Sequence, residues 1–304
     1  MPDRDFGRFE PFHSFKMVET KPPVATRFLR ADFPALNVML FLLTCVSTFY
    51  HGYMSSPGNS FADGFWYGGG IITILLCHEM GHYLMCQRHG VRATLPFFIP
   101  FPVFSPFGTL GAVIRMDSRL PNRRVLFDIG VAGPLAGLVV TIPAIYFGLQ
   151  MSEVRAVAGA GEGLTLGDSI LFSGMSFLIK GPLAEGQDVF LHPLAYAGWV
   201  GLFVTALNLL PIGQLDGGHI LYALMGERSA IIGRVALASF ALMGIIVFQR
   251  FPGWVPFISL LLWFGHRHPS TEDSHKPLDS KRRALAYLSF AIFILAFTPI
   301  PFYL

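Results

Sequence analysis

Long apolar segments divide this chain and leave few charges between them. Of its 304 residues, 53% are hydrophobic and only 13% are charged, whereas soluble domains carry roughly a quarter charged residues. A run of about 20 apolar residues is long enough to cross a bilayer as a helix. The sequence therefore predicts an α-helical polytopic membrane protein, surrounded by a lipid bilayer, with about six to seven transmembrane helices. These are placed at residues 33–53, 65–85, 125–149, 194–210, 231–248, 254–264 and 284–304.

One apolar segment, residues 94–117, does not fit a spanning helix. It contains four closely spaced prolines, and proline removes a backbone donor and clashes with the preceding helical turn. Its remaining residues are mainly β-branched and aromatic, with glycines at positions 108 and 111, a composition typical of strands joined by a turn. We expect a membrane-associated, β-hairpin-like segment here. The prolines are Pro96, Pro100, Pro102 and Pro106.

The distribution of lysine and arginine predicts how the chain is oriented in the membrane. Residues 1–34, 86–124, 227–234 and 266–283 are basic, while the loops 54–64 and 150–193 are not. Basic loops stay cytoplasmic, so residues 1–34 form an expected cytoplasmic arm. Residues 35–265 form the membrane-embedded core, and residues 266–304 a basic linker with a C-terminal transmembrane helix. The arm lacks the features of a signal or transit peptide, and the expected location is a bacterial inner membrane.

Charge and cysteine content exclude several classes of partner and site. The net charge is only +3 and the basic residues lie in loops rather than in a stripe, so we expect no nucleic-acid partner. Cys45, Cys77 and Cys86 all fall within apolar segments, which predicts neither a disulfide framework nor a zinc ribbon. Cys77 and Cys86 flank residues 78–82 and remain minor candidates for metal ligands, although buried cysteine is more often small apolar filler.

Residues 78–82, His-Glu-Met-Gly-His, place three polar side chains inside an apolar segment. A spacing of four puts His78 and His82 on the same face of a helix, one turn apart, where two imidazoles can bind one zinc ion. Glu79 is then placed to act as a base toward a metal-bound water. Ionisable residues at membrane depth are usually functional. The alternative is a polar helix contact, with two hydrogen-bonded histidines and a buried acid.

A catalytic zinc site needs three protein ligands, so the histidine pair requires a partner from elsewhere. Asp216 is the best candidate, because it follows a helix that Pro211 interrupts and lies among several glycines. Non-helical backbone at membrane depth must line a protein- or water-filled cavity. The alternative role for Asp216 is to cap a helix that starts near His219.

These motifs, together with two others, resemble the site-2 protease family of intramembrane zinc metalloproteases. The resemblance covers residues 65–226. It implies one Zn²⁺ per chain held by His78, His82 and Asp216, with Glu79 as general base and Asn208 close to the substrate. His219 is then either a supporting residue beside the aspartate or an ordinary polar residue at a helix start. The other two motifs are Asn208-Leu209-Leu210-Pro211 and Gly133-Pro134-Leu135-Ala136.

The expected activity is that of a zinc metalloendopeptidase acting on transmembrane protein substrates. It hydrolyses peptide bonds within or near transmembrane segments, using a zinc-activated water and the Glu79 base. An unwound substrate is expected to add to an unpaired strand edge formed by Thr109–Ile114. Thr109, Leu110, Gly111 and Ala112 are the expected substrate-binding residues of this edge, with Leu110 and Ala112 on one face and Gly111 on the other. The alternative is a re-entrant plug that only seals the cavity. The 150–193 loop is too short for a PDZ domain, so no PDZ-mediated partner is expected.

Three rival interpretations remain open at this stage. A non-catalytic membrane scaffold or chaperone could keep the same fold, but zinc binding alone would not require Glu79. A metal or ion transporter is disfavoured because the chain lacks a repeated half. A different membrane zincin would use a glutamate as third ligand, and no acidic residue in an apolar segment fits better than Asp216.

Overall fold

The computed structural model describes residues 34–56, 58–102, 105–116, 120–156, 165–264, 271 and 277–303, most of which are helical. The helices are α1 Pro34–Ser55, α2 Phe61–Arg88, α3 Arg123–Met151, α4 Ile170–Lys180, α5 Pro193–Asn208, α6 Asp216–Met225, α7 Ser229–Ile246, α8 Trp254–Phe264 and α9 Ser280–Ala296. The strands are β1 Phe97–Pro100, β2 Thr109–Val113, β3 Glu153–Ala156, β4 Thr165–Leu166, β5 Gln187–Phe190 and β6 Phe302–Tyr303. The predicted arm, residues 1–34, lies almost wholly outside the described residues.

Three helical stretches are long and apolar enough to cross a membrane. They are Pro34–Ser55, Arg123–Met151 and Asp216–Ile246, the last formed by α6 and α7 with a short 3-10 turn between them. Together with the overall composition, they make the chain a membrane protein. Shorter apolar helices cover Ile170–Lys180, Pro193–Asn208 and Trp254–Trp263. The number of six to seven spans therefore stays a prediction.

The hairpin expected in residues 94–117 is present. Strands β1 and β2 pair antiparallel, with Phe97 opposite Val113 and Phe98 opposite Ala112. The register then shifts, because Pro100 lies opposite Thr109, which leaves an extra residue on β2. Gly111 has φ of +96°, the conformation that a glycine in a bulge adopts. The expectation that Leu110 and Ala112 share one face of a regular strand is therefore wrong, since the bulge interrupts the alternation.

The C-terminal prediction needs a correction as well. Helix α9 ends at Ala296 instead of continuing to the end of the chain. Pro299 and Pro301 follow, and neither can donate a helical hydrogen bond. The chain turns back so that β6 pairs antiparallel with β4, with Phe302 opposite Leu166. The described residues after α9 therefore leave the helix: Pro299 accepts a hydrogen bond from Trp254 of α8, and β6 pairs with the 150–193 loop.

The 150–193 loop carries more structure than a simple connection. Strands β3 and β5 pair antiparallel along their whole length. Between them lies the short helix α4. Lys180 at the end of α4 donates to the carbonyl of Ser152 at 2.6 Å, which ties this helix to the end of α3.

Helices α2, α3 and α5 form the centre of the molecule and carry most of its fully buried side chains. Ile71 and Leu75 of α2 pack with Ile145 of α3 and Trp199 of α5 in the largest apolar cluster. Helix α6 packs on the opposite end of α3, through Ile220. This arrangement brings the beginning of α6 close to the His-Glu-Met-Gly-His segment of α2.

Candidate metal centre

Helix α2 holds the two predicted histidine ligands on one buried face. It runs without interruption from Phe61 to Arg88, so His78 and His82 lie one turn apart. Both residues are buried, and their Nε2 atoms lie 3.2 Å from each other. The imidazoles therefore converge on one point.

Asp216 reaches the same point from the start of α6. Its Oδ2 atom lies 3.3 Å from the Nε2 atoms of both His78 and His82. The residue at the N-cap position is Leu215, and no side-chain capping bond is made there. The structure thus places the Asp216 carboxylate against the histidines and not at the helix cap.

Glycines allow the backbone to fold back tightly at Asp216. A Cβ atom added to Gly217 would lie 2.0 Å from the carbonyl oxygen of Leu209, and one added to Gly218 would lie 2.2 Å from that of Gly213. Side chains at these positions would push the start of α6 away from the backbone of residues 209–213. The two glycines therefore let the carboxylate of Asp216 approach α2.

The spacing of the three donor atoms fits a small tetrahedral cation. A tetrahedral ion with bonds of about 2.0–2.1 Å to nitrogen and oxygen separates its ligands by about 3.3–3.4 Å. The observed separations are 3.2, 3.3 and 3.3 Å. In the described part of the chain, these residues form the group of histidine, cysteine and acidic side chains whose donor atoms converge in this way. Neither Cys77 nor Cys86 belongs to it.

The carbonyl of Ile129 fixes the orientation of one candidate ligand, His82. It lies 2.8 Å from His82 Nδ1, so Nδ1 carries the proton and Nε2 is left to face the centre. Helix α3 can approach this closely because position 133 is a glycine. A Cβ atom at Gly133 would lie 2.0 Å from His82 Nε2. The first residue of the Gly-Pro-Leu-Ala motif therefore permits close packing directly against His82.

Glu79 lies beside the centre and is held by the hairpin. Its carboxylate is buried, at 5% exposure, and accepts a hydrogen bond from the backbone N–H of Ile114, just after β2. This contact orients the carboxylate without consuming both of its oxygens. A base next to a metal centre needs this combination of fixed position and free lone pairs.

The structure places Asn208 and His219 on different sides of this centre. The Asn208 amide nitrogen lies 3.4 Å from His78 Nε2, on the side from which α5 ends. His219 is buried three residues after Asp216, and its Cβ faces Gly130 of α3. Asn208 therefore belongs to the wall of the centre, while His219 packs between α6 and α3.

The four predicted strand residues lie in the hairpin next to Glu79 and not among the metal-facing donors. Thr109 is buried, and its hydroxyl donates to the carbonyl of Ile99 and accepts from the N–H of Gly111. Leu110 has an exposed side chain, at 61% exposure. Gly111 forms the bulge, and Ala112 pairs with Phe98. The hydroxyl of Thr109 thus serves the internal geometry of the hairpin.

The sequence did not predict the contacts that the backbones of Ile114 and Ile129 make with Glu79 and His82, respectively. Both act through backbone groups, and a backbone N–H or carbonyl leaves no trace in the residue type. Their neighbours gave a partial signal, because Ile114 lies within the predicted hairpin and Ile129 four residues before Gly133. Position along the chain was therefore informative, but the identity of each side chain was not.

Helix α2 and the start of α6 thus form a His₂Asp centre with an adjacent glutamate on α2, the arrangement of a zincin-like metallopeptidase site. The model of peptidase family M50 matches residues 69–248. The chain belongs to peptidase family M50, which confirms the resemblance found in the sequence.

Several curated plant proteins are similar to this chain. One is the probable zinc metalloprotease EGY1, chloroplastic, of Oryza sativa subsp. japonica, 37% identical over 58% of this chain and 30% of that protein. Another is the probable zinc metalloprotease EGY2, chloroplastic, of Arabidopsis thaliana, 30% identical over 77% of this chain and 42% of that protein. The chain thus spans between about a third and a half of the length of the curated relatives it matches.

Proposed function

We propose that this protein is an intramembrane zinc metalloendopeptidase that cleaves transmembrane protein substrates. The observation that carries this proposal is the triangle of His78, His82 and Asp216 donor atoms, with spacings of 3.2–3.3 Å and with Glu79 beside it. Family membership and the names of the relatives support zinc as the ion. A scaffold would need neither the buried Glu79 nor its orienting contact with Ile114.

His78, His82 and Asp216 would hold the zinc ion, and one position of a tetrahedral site would stay open. When bound, zinc supplies Lewis acidity, which favours deprotonation of water near neutral pH and polarises a peptide carbonyl. Glu79 takes the proton from the attacking water and delivers it to the leaving amine. Ile114 keeps the carboxylate aimed at the centre during both transfers.

The amide of Asn208 is the proposed donor to the substrate. Its nitrogen lies 3.4 Å from His78 Nε2, so it borders the space in which a peptide carbonyl would sit. A donor aimed at the developing oxyanion contributes about 2.7–4 kcal/mol to catalysis in comparable sites. His219, buried between α6 and α3, has the proposed role of holding α6 in place.

The free edge of β2 is the proposed binding site for the substrate backbone. A helical substrate hides its carbonyls in its own hydrogen bonds, so it must be extended before attack. The Ile114 N–H faces Glu79, and N–H groups two residues apart on a strand point to the same edge. The backbone groups of Ala112 therefore face the side away from β1, where an extended peptide can add to the sheet.

The membrane arrangement completes the proposal. The apolar segments predict six to seven spans, and the distribution of basic residues predicts a cytoplasmic N-terminal arm and a 150–193 loop on the opposite side. The proposed three-part division at residues 34 and 265 follows from these two patterns. The placement in a bacterial inner membrane stays a prediction of the sequence, while the names of the two relatives above assign those proteins to chloroplasts.

Removal and return of the metal tests this function. The purified protein, stripped with a chelator and reconstituted in liposomes with a panel of single-span membrane proteins, should cleave none of them on a gel. Addition of one equivalent of zinc should restore cleavage, whereas magnesium should not, because it prefers octahedral oxygen sites. Cleavage by the stripped protein at the rate of the zinc-loaded one would contradict the proposal.

A further inference from the structure

Three consecutive carbonyls at the tip of the hairpin, residues 105–108, are each bound by a hydroxyl from a different helix. The Tyr196 hydroxyl of α5 donates to the carbonyl of Pro106 at 2.9 Å. The Tyr67 hydroxyl of α2 donates to that of Phe107, also at 2.9 Å. Ser47 of α1 donates to that of Gly108. The hairpin tip is thus attached to three helices, α1, α2 and α5.

The two tyrosines form one rigid unit. Their rings stack with centroids 5.1 Å apart and an interplanar angle of 19°, and Tyr67 is almost fully buried. The Phe107 ring is in turn held between Phe203 and Phe302, at centroid distances of 6.0 and 5.7 Å. Carbonyls of non-helical backbone at membrane depth need protein donors, and here the donors are immobilised by packing.

Helix α2 contacts the same hairpin a second time, at Glu79. Tyr67 and Glu79 lie twelve positions apart on α2, about 18 Å along a helix axis. Their backbone partners, Phe107 and Ile114, lie seven positions apart, about 23 Å along a regular strand. The bulge at Gly111 shortens that path, so both contacts can form together. Two attachments on one rigid helix fix the position of β2 along α2.

We propose that Tyr67 and Tyr196 are positioning residues that set the register of the β2 edge against Glu79, and thereby select which substrate peptide bond is cut. This inference rests on the proposed function, because it assumes that the substrate adds to β2. Neither tyrosine touches the metal-facing donors. They act through the hairpin tip, and loss of their hydroxyls frees the strand to slide while the three ligands stay in place.

The test compares the wild-type protein with the double variant Tyr67→Phe/Tyr196→Phe. A purified single-span substrate is cleaved in liposomes, and mass spectrometry identifies the bonds that are cut. The wild type is expected to cut mainly one bond. The variant is expected to cut additional bonds displaced by two residues, because a slip of two keeps the alternation of side chains along a strand. A lower folded fraction alone would reduce the rate but would not move the cut.

Hydrogen exchange supplies a readout that does not depend on activity. In the same double variant, the peptide containing Ile114 should exchange about 10-fold faster or more, because its local opening becomes easier, and zinc content should be unchanged. Tyr146→Phe is the matched control, since this tyrosine lies on α3 with an exposed ring, and it should change neither readout. If the wild type itself cleaves nothing, the proposed function fails, and the exchange rate alone decides whether the tyrosines hold the strand.

Two results would overturn the inference. The first is unchanged exchange at Ile114 in the double variant, which would mean that the hydroxyls do not hold the strand. The second is faster exchange together with a single, unshifted cleavage site, which would mean that β2 does not carry the substrate. The single variants Tyr67→Phe and Tyr196→Phe show whether one hydroxyl is enough to hold the strand. Ser47→Ala, which removes the third donor, should further increase the displacement of the cleavage site in either single variant.

Discussion

At the scale of single residues, the ligand set is the part of the site that the sequence predicts best. The spacing of four fixes His78 and His82 on one helical face whatever surrounds them. The role of Asp216 could not be predicted from the local sequence alone, because that sequence is equally compatible with a helix cap. The observed contact of the Asp216 Oδ2 atom with both histidines, at 3.3 Å each, decides in favour of the shared centre.

The first prediction concerns bound zinc. His78→Ala, His82→Ala and Asp216→Ala should each lose most of the metal, because a site with three protein ligands has none to spare. Glu79→Gln should retain about one zinc per chain and lose turnover, since the amide cannot accept a proton. Elemental analysis of the purified variants checks this. Full zinc in Asp216→Ala would show that another residue, such as Cys77, is the third ligand.

The second prediction concerns the contact between helices at Gly133. In Gly133→Ala the new methyl group would lie 2.0 Å from His82 Nε2, so the imidazole must leave its position. We expect zinc affinity to fall by about 10–100-fold or more, the range seen when the support of a ligand is removed. Competition with a chromogenic chelator measures this affinity.

Gly137→Ala is the matched control for that experiment. It adds the same methyl group one helical turn further along α3, where the nearest atoms of His78 lie at 3.4 Å, an ordinary contact distance. Its zinc affinity should stay close to that of the wild type. Equal affinities in the two variants would show that α3 does not fit against the histidines as described.

At the scale of elements, the hairpin shows what a sequence pattern can and cannot predict. Proline excludes a regular helix wherever it recurs at short spacing, so the strand–turn–strand segment was predictable. The bulge was not, because it depends on the backbone angle of one glycine, Gly111. In the C-terminal segment, the end of α9 was likewise predictable, because Pro299 and Pro301 follow it. The pairing of β6 with β4 was not, because it joins segments far apart in the chain.

The third prediction concerns the strand edge. Ala112→Pro removes one backbone donor from the edge that faces away from β1, with a small change in side-chain volume. If substrate adds there, kcat/KM should fall at least about 10-fold, the equivalent of about 1.4 kcal/mol, while zinc content stays normal. Steady-state cleavage assays measure the change.

Ala112→Val separates the backbone from the side chain in that experiment. It keeps the N–H group and adds volume comparable to that of proline, so it should cleave nearly as well as the wild type. If both variants lose activity equally, the side chain at position 112 is responsible. If neither loses activity, the hairpin only seals the site against lipid, and the strand-addition mechanism is wrong.

At the scale of the whole molecule, the apolar segments predicted where the helices lie but not how successive helices connect. Every predicted span begins or ends within a few residues of an observed helix in the described part of the chain. Helices α6 and α7, however, form one candidate span, Asp216–Ile246, that starts at a proposed ligand. Hydropathy cannot detect this, because the residues 213–219 are too polar and too rich in glycine to be counted with the segment that follows.

The fourth prediction concerns orientation. The 150–193 loop should face the side opposite to the cytoplasm, because it lacks the basic residues of the other connections. A single cysteine at position 185, an exposed residue of this loop, is introduced into a variant without Cys45, Cys77 and Cys86. A membrane-impermeant maleimide should label it from outside intact cells. Labelling only after the cells are opened would reverse the topology.

The fifth prediction concerns turnover and the Glu79 base. Wild-type protein and Glu79→Gln, both loaded with one zinc per chain, are incubated in liposomes with a single-span substrate, and the products are sequenced by mass spectrometry. The wild type should cut a bond within or next to the apolar segment, and Glu79→Gln should cut at most about a hundredth as fast, the size expected for loss of a general base. Cleavage by both proteins at the same rate would show that Glu79 is not the base of an intramembrane zinc metalloendopeptidase.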